Sequence, residues 1–166
     1  MGYILIQTDF GGTSGAMTGV CRIVDPTLQI FELTHMVPKF DVCAAGKNLV
    51  ETIPCWPSGT VFVSVVDPGV GTARRACAAL TESGHIIVTP DNGILDVVRK
   101  QIAIREVREI DQNINRYKGN IWSAKSEIFH GRDVFAYCGA RLASGTISFE
   151  ETGPEYPVSE IVKDTE

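Results

Sequence analysis

Val65-Val66-Asp67-Pro68-Gly69-Val70-Gly71-Thr72-Ala73-Arg74-Arg75 is the stretch on which the reading of this chain turns. It opens at the end of an apolar run, residues 61–66, with the composition of a buried strand. It then turns tightly, because Pro68 fixes φ and Gly69 and Gly71 permit backbone conformations that other residues avoid. A carboxylate stands at the strand exit, and two guanidinium groups follow seven and eight residues later. In open α/β sheets, ligands bind outside the carboxyl ends of the strands. The same spacing also suits a turn closed by a surface salt bridge, the commoner use of such charges.

Upstream, Tyr3-Ile4-Leu5-Ile6 is a β-prone run that leads into Thr8-Asp9-Phe10-Gly11-Gly12-Thr13-Ser14-Gly15, a small-residue loop where backbone can approach a ligand. Asp9 suits either a ligand contact or a turn cap. No GxGxxG follows the strand and no GxxxxGK[ST] occurs, so dinucleotide and P-loop sites lack motif support. Residues 16–24 predict a short helix stopped at Asp25-Pro26, and residues 28–33 a second strand leading to Thr34-His35. A single histidine there is most often a hydrogen-bonded structural residue. Asp41 is placed to cap a helix whose apolar face carries Val42, Ala45, Leu49 and Ile53.

Downstream, residues 76–80 and 85–88 predict two strands around a Glu82-Ser83-Gly84 turn. Thr89-Pro90-Asp91-Asn92-Gly93 is another tight turn at a strand exit, and Asn-Gly is itself turn chemistry. Residues 94–100 read as helix, 104–110 as strand and 111–125 as a polar loop. Phe129-His130-Gly131-Arg132-Asp133 precedes a helix with Val134, Cys138 and Leu142 on its apolar stripe and Gly145 at the C′ position. His130 thus lies at a helix N-terminus, whose partial positive charge disfavours imidazolium; the alternative is a simple cap. The alternation predicts an α/β domain over residues 1–145, a mainly parallel central sheet flanked by helices on both faces. The turns at Asp9, Asp67, Asp91 and His130 would gather at one sheet edge.

Of 166 residues, 44% are hydrophobic, enough for one domain with a real core. No apolar run is long enough for a membrane span, and the N-terminus lacks the pattern of a signal peptide. The net charge of −5 resides in residues 146–166, read as an acidic exit arm or linker, while the body is balanced. A neutral body without a basic run argues against nucleic acid as a main partner. Cys21, Cys43, Cys55, Cys77 and Cys138 are scattered, with no CxxC; they read as small buried hydrophobes in a reducing cytoplasm, not as a metal cluster.

Taken in order, Thr8-Asp9-Phe10-Gly11, Thr34-His35, Gly59-Thr60-Val61, Val65 to Gly71, Arg74-Arg75, Pro90-Asp91-Asn92-Gly93 and Phe129 to Asp133 resemble the S-adenosylmethionine hydroxide adenosyltransferases, a hydrolase family related to fluorinase and chlorinase. The resemblance implies attack of water on the ribose C5′ of S-adenosylmethionine, with release of adenosine and methionine and no metal or other cofactor. It places the catalytic set on Asp67, Arg74 and His130, and Arg75 in a structural role. It places Asp9 on the ribose hydroxyls, Phe40 near the sulfonium and methionine part, and Asn92 as a further substrate contact. It also implies a cytoplasmic homotrimer. Halogenating relatives match less well, since Asp67 would repel a halide and Val70 and Gly131 offer no hydroxyl. Two departures stand out. The loop Gly12–Met17 is about three residues shorter than the family's, on realignment, and lacks a second Asp that meets the methionine amino group in relatives. The family's C-terminal β-barrel domain, expected after residue 145, has no counterpart in this sequence. These departures motivate two rival readings: a non-catalytic member that binds adenosine or S-adenosylmethionine, and a hydrolase of another nucleoside.

Overall fold

A computed structural model describes residues 2–119 and 129–165. The strands are β1 (Tyr3–Thr8), β2 (Gln29–Thr34), β3 (Val61–Val65), β4 (Ala76–Thr81), β5 (Ile86–Pro90), β6 (Ile104–Glu109) and β7 (Glu155–Tyr156). They form one seven-stranded sheet in the order β2-β1-β3-β5-β4-β6-β7. The helices are α1 (Gly15–Val24), α2 (Val42–Thr52), α3 (Ile94–Arg99) and α4 (Tyr137–Ala143), the last preceded by a π-helical segment, Gly131–Ala136. Of the expected loop 111–125 and the turn before His130, residues 120–128 lie outside the described residues.

The sheet is mixed, which corrects the expectation of a mainly parallel one. The pairs β1/β2, β1/β3 and β3/β5 are parallel, whereas β4/β5, β4/β6 and β6/β7 are antiparallel. The reason is local. The Glu82-Ser83-Gly84 turn is short and Gly84 sits at φ +84°, so β4 and β5 form a hairpin. Parallel neighbours need a long crossover, and so few residues cannot supply one.

Alternation along the central strands divides the core. Ile4, Ile6, Val61, Val63 and Val65 face α1, α4 and the π-helical segment, where Met17, Cys21, Phe135 and Cys138 complete one layer. Leu5 and Phe62 face α2 and α3, packing with Leu49, Ile94, Leu95 and Val98. Asp41 caps α2 as its spacing predicts, its Oδ1 accepting from Ala44 N at 2.9 Å. Of the cysteines, Cys21, Cys77 and Cys138 are buried, and burial pushes the Cys21 and Cys138 thiols up to about 12. Cys43 is half-buried and Cys55, at the end of a short 3-10 turn, is exposed, contrary to the uniform burial expected.

Residues 146–165 do not leave the domain as a free arm. Ile147 and Phe149 join the α1/α4 core and Tyr156 and Ile161 the opposite one, while β7 adds to the sheet edge. Apolar residues between the acids drive this docking, and net charge conceals them. No described helix is long and apolar enough to cross a membrane.

The contact of α2 with α3 depends on Gly46, where an added Cβ would lie 2.6 Å from Val97 Cβ. Gly46→Leu is expected to lower stability by about 1–3 kcal/mol through overpacking. A urea titration would read this as a lower midpoint at constant m; an unchanged midpoint would mean that the helices separate without cost.

Candidate functional site

Strands β1 and β3 are parallel neighbours in which Thr8 is level with Val65. Asp9 and the Val66-Asp67 segment therefore leave the sheet side by side at its carboxyl edge. After Asp67, two successive turns fold the chain back: Val70 N donates to Asp67 O at 3.2 Å and Thr72 N to Gly69 O at 3.0 Å. Gly71, at φ +80°, allows the second reversal. This brings Arg74 onto Asp67. Arg74 Nε donates to Asp67 Oδ1 at 2.9 Å, and Nη2 donates to Asp67 Oδ2, so the contact is bidentate. The Arg74 and Asp67 side chains are only 9% and 6% exposed. The Phe135 ring lies beneath the guanidinium, its centroid 5.3 Å from Cζ.

The third member arrives from the other side of the chain. Arg74 Nη2 lies 2.9 Å from His130 Nδ1. Guanidinium has only donors, so Nδ1 is the acceptor, and the proton of a neutral ring then sits on Nε2. Burial, foremost, and the adjacent Arg74 charge hold the His130 pKa below the ordinary 6.5, against the opposing pull of Asp67. His130 makes no side-chain cap to the helical segment that follows, so the simple-cap alternative is not what the geometry shows. Gly131 lets that segment approach closely: a Cβ there would lie 3.2 Å from Phe10 Cζ and 3.3 Å from Val65 Cγ1.

Asp9 and Phe40 meet in a second contact. Phe40 has φ +62°, the left-handed region for a non-glycine residue, and its N–H donates to Asp9 Oδ2 at 2.8 Å. Asp9 itself is buried, whereas Phe40 is exposed. Asn92 Nδ2 donates to Val66 O at 2.8 Å, beside Asp67, and Asn92 Oδ1 is buried with no partner among the described residues. A groove of about 480 Å³ is lined by Phe40, Pro68, Asn92, Lys39 and, from the C-terminal segment, Asp164 and Thr165.

Other expectations resolve plainly. His35 bonds Thr8 Oγ1 through Nδ1 at 2.7 Å and lies near Glu32, a structural role. Arg75 turns away from the pair to stack on Tyr156, Cζ lying 4.3 Å from the ring centroid. Phe135, Asp164 and Thr165 went unread in the sequence. Phe135 looks like any core aromatic, and the other two lie in a segment whose acidity suggested solvent. Among the described residues no group of three His, Cys, Asp or Glu side chains is arranged to hold a metal ion.

Left-handed backbone at a Phe is strained, and glycine would relieve it. Phe40→Gly is expected to raise stability by about 1 kcal/mol. Denaturant unfolding would register a higher midpoint, and no gain would mean that the loop supports Phe40 without strain.

With this geometry in hand, comparisons with known proteins converge. The model of the SAM hydroxide adenosyltransferase N-terminal domain matches residues 4–153. An (R)-S-adenosyl-L-methionine hydrolase of Salinispora arenicola is 38% identical over 165 residues, which are 97% of this chain and 60% of that protein. A fluorinase of an Actinoplanes species is more distant, 24% identical over a gapped alignment of 186 positions, covering 96% of this chain and 60% of the relative. Among solved structures, an uncharacterized conserved protein of Thermotoga maritima superposes with a TM-score of 0.88 at 36% identity, over 98% of this chain and 62% of that one. The chain thus spans about 60% of the length of the relatives it matches. Asp9, Phe40, Asp67, Arg74, Asn92 and His130 all fall within the matched residues 4–153, and the chain belongs to the SAM hydroxide adenosyltransferase family through its N-terminal domain.

Proposed function

We propose that this chain carries the water-activating site of an S-adenosyl-L-methionine hydrolase, which forms adenosine and L-methionine. The observation that carries the reading is the Asp67–Arg74–His130 cluster at the sheet's carboxyl edge. Water forms the new O–C5′ bond and the C5′–S bond breaks, its electron pair returning to sulfur. The departing sulfur becomes a neutral thioether, so no acid is needed at the leaving group. What the site must supply is an aligned water and a destination for its proton. His130 Nδ1 is occupied by Arg74, so its Nε2–H serves to orient the water oxygen. Oxygen becomes strongly acidic as its bond to carbon forms, and a carboxylate then suffices as the proton acceptor. The outer lone pairs of Asp67 are the acceptor that best suits this step. Arg74 holds Asp67 in place through the two-pronged contact, so that its outer lone pairs face the water. The scheme calls for no metal or other cofactor.

Asp9 is assigned to the ribose hydroxyls, for which Oδ1 and the remaining lone pair of Oδ2 are available. Asn92 Oδ1, a buried acceptor lacking a donor among the described residues, supports a contact with a substrate hydroxyl or amine, because such an atom is costly to leave unmatched. The exposed Phe40 ring already carries the Lys39 ammonium 5.1 Å from its centroid, and its other face is assigned to the sulfonium. The names of the relatives support the substrate, and the better nucleophile here is water, since the Asp67 carboxylate opposes a halide. We assign the functional unit as a homotrimer in the cytoplasm, in keeping with the family resemblance and the free thiols. The carboxylate-free Gly12–Gly15 loop favours, as a second reading, a nucleoside substrate with a different group at C5′. A substrate panel assayed beside S-adenosylmethionine separates the two.

Chromatography of the purified chain with S-adenosylmethionine is expected to show adenosine and methionine in equal amounts. Arg74→Lys keeps the charge but loses the fork, and should lower turnover by about 10²-fold or more with its circular dichroism retained. Wild-type turnover in that variant would remove Arg74 from the mechanism. The depressed His130 pKa keeps the ring neutral above 6.5, so kcat/KM should be flat there and its acid limb should have a midpoint below 6.5. A midpoint above that value would contradict a neutral His130.

A further inference from the structure

The C-terminal strap, residues 155–165, is held to the domain by two carboxylates that the proposed reaction does not use. Asp91, 1% exposed, accepts from Tyr156 Oη at 2.9 Å through Oδ2 and from Val162 N at 3.0 Å through Oδ1. Asp96 Oδ2 accepts from Asp164 N at 2.9 Å, and this carboxylate also pairs with Arg99 and Lys100. The two differ in what surrounds them. The backbone N–H of Asp91 donates to Arg75 O at 2.9 Å, and the next residue, Asn92, donates to Val66 O at 2.8 Å. Val66 and Arg75 flank the loop that carries Asp67 and Arg74. Both ends of that loop therefore hang on the Asp91-Asn92 turn. Arg75 adds a parallel link, since it stacks on Tyr156 and lies 3.3 Å from Glu160.

We propose that Asp91 is a positioning residue, which couples the docked strap to the Asp67–Arg74 pair. The inference rests on the hydrolase reading for what the pair does, although the coupling itself is a matter of geometry. A buried carboxylate bonded on both oxygens has little freedom, because breaking either bond leaves a desolvated partner. When the strap lifts, Asp91 loses both donors and relaxes, and the turn beneath it shifts the ends of the Asp67–Arg74 loop. The strap also brings Asp164 and Thr165 to the groove beside Phe40 and Asn92. The groove wall and the water-activating pair are then set by one contact. Asp96 contacts the strap directly at its far end, through Asp164 N, and its partner Arg99 donates to Val158 O at 2.9 Å; neither reaches the Asp67–Arg74 loop, so Asp96 serves as the comparison.

The test uses the full chain labelled with nitrogen-15. Exchange with solvent is followed at the Val162 amide and at the Arg74 Nε–H, which is bonded to Asp67, and kinetics are measured alongside. In Asp91→Ala and Tyr156→Phe, both sites should exchange about tenfold faster or more, and kcat should fall by a similar factor while KM rises as the groove wall leaves with the strap. Asp91→Asn, which keeps an acceptor for Val162, should recover part of each effect. Asp96→Asn should quicken exchange at the Asp164 amide and leave Arg74 unchanged. If Asp91→Ala does not fold, Tyr156→Phe decides alone. Faster exchange at Val162 with an unchanged Arg74 signal overturns the proposal, as does unchanged exchange at Val162. If the wild-type chain shows no turnover, the hydrolase reading falls, and the exchange data still decide the coupling.

Discussion

The bidentate contact of Arg74 with Asp67 is a charge pair held largely out of water, and the surrounding architecture exists to make it tolerable. Desolvating two ions costs several kcal/mol each, which geometry and further hydrogen bonds must offset. Here the fork geometry is complete, His130 Nδ1 accepts one more guanidinium N–H, and Phe135 lies against the cation. The arrangement needs β3 to end at Val65, Gly71 to reverse the chain, and the Gly131 segment to approach without a side chain in the way. Each requirement is met by a different part of the sequence.

That pair also orders the electrostatics of its neighbour. With Nδ1 accepting an Arg74 N–H, a neutral His130 is a donor at Nε2 and not a free base. A histidine beside a carboxylate suggests a dyad in which imidazole takes the proton. The guanidinium wedged between them reverses that assignment: the carboxylate keeps outer lone pairs while the imidazole has none to spare. The order of the three groups in space, more than their identity, distributes the roles.

Much of the fold was legible because the elements are locally consistent. The Asp41 cap, the apolar stripe of α4 and the Gly145 terminus are each short-range devices, and each stands where the spacing puts it. The mixed sheet departs from the expected one because alternation of strands and helices reports the order of elements, whereas the short Glu82-Ser83-Gly84 turn fixes β4 and β5 as a hairpin. The C-terminal segment departs from expectation for another reason. Its charge is a sum over residues, whereas docking depends on which residues point inward, and Ile147, Phe149, Tyr156 and Ile161 do. Likewise Phe40 was readable as an aromatic near the site, but its left-handed backbone, held by Asp9 over 31 residues of separation, was not.

The sequence by itself determined the chemistry available at each strand exit: a carboxylate after β1, a carboxylate and guanidinium after β3, an Asp-Asn turn after β5 and a histidine before the last helix. These are local properties of residue type and spacing, set by strand ends and turn residues. Only the tertiary structure decided which of them touch. The contact of His130 with Arg74 spans 56 residues, and that of Val162 with Asp91 spans 71. Such distances are closed by the parallel register of β1 on β3 and by burial of the strap's apolar side chains, and both are properties of the packed sheet. The same packing turned an acidic tail into a wall of the groove, because burying apolar surface outweighed keeping its neighbouring charges free in water.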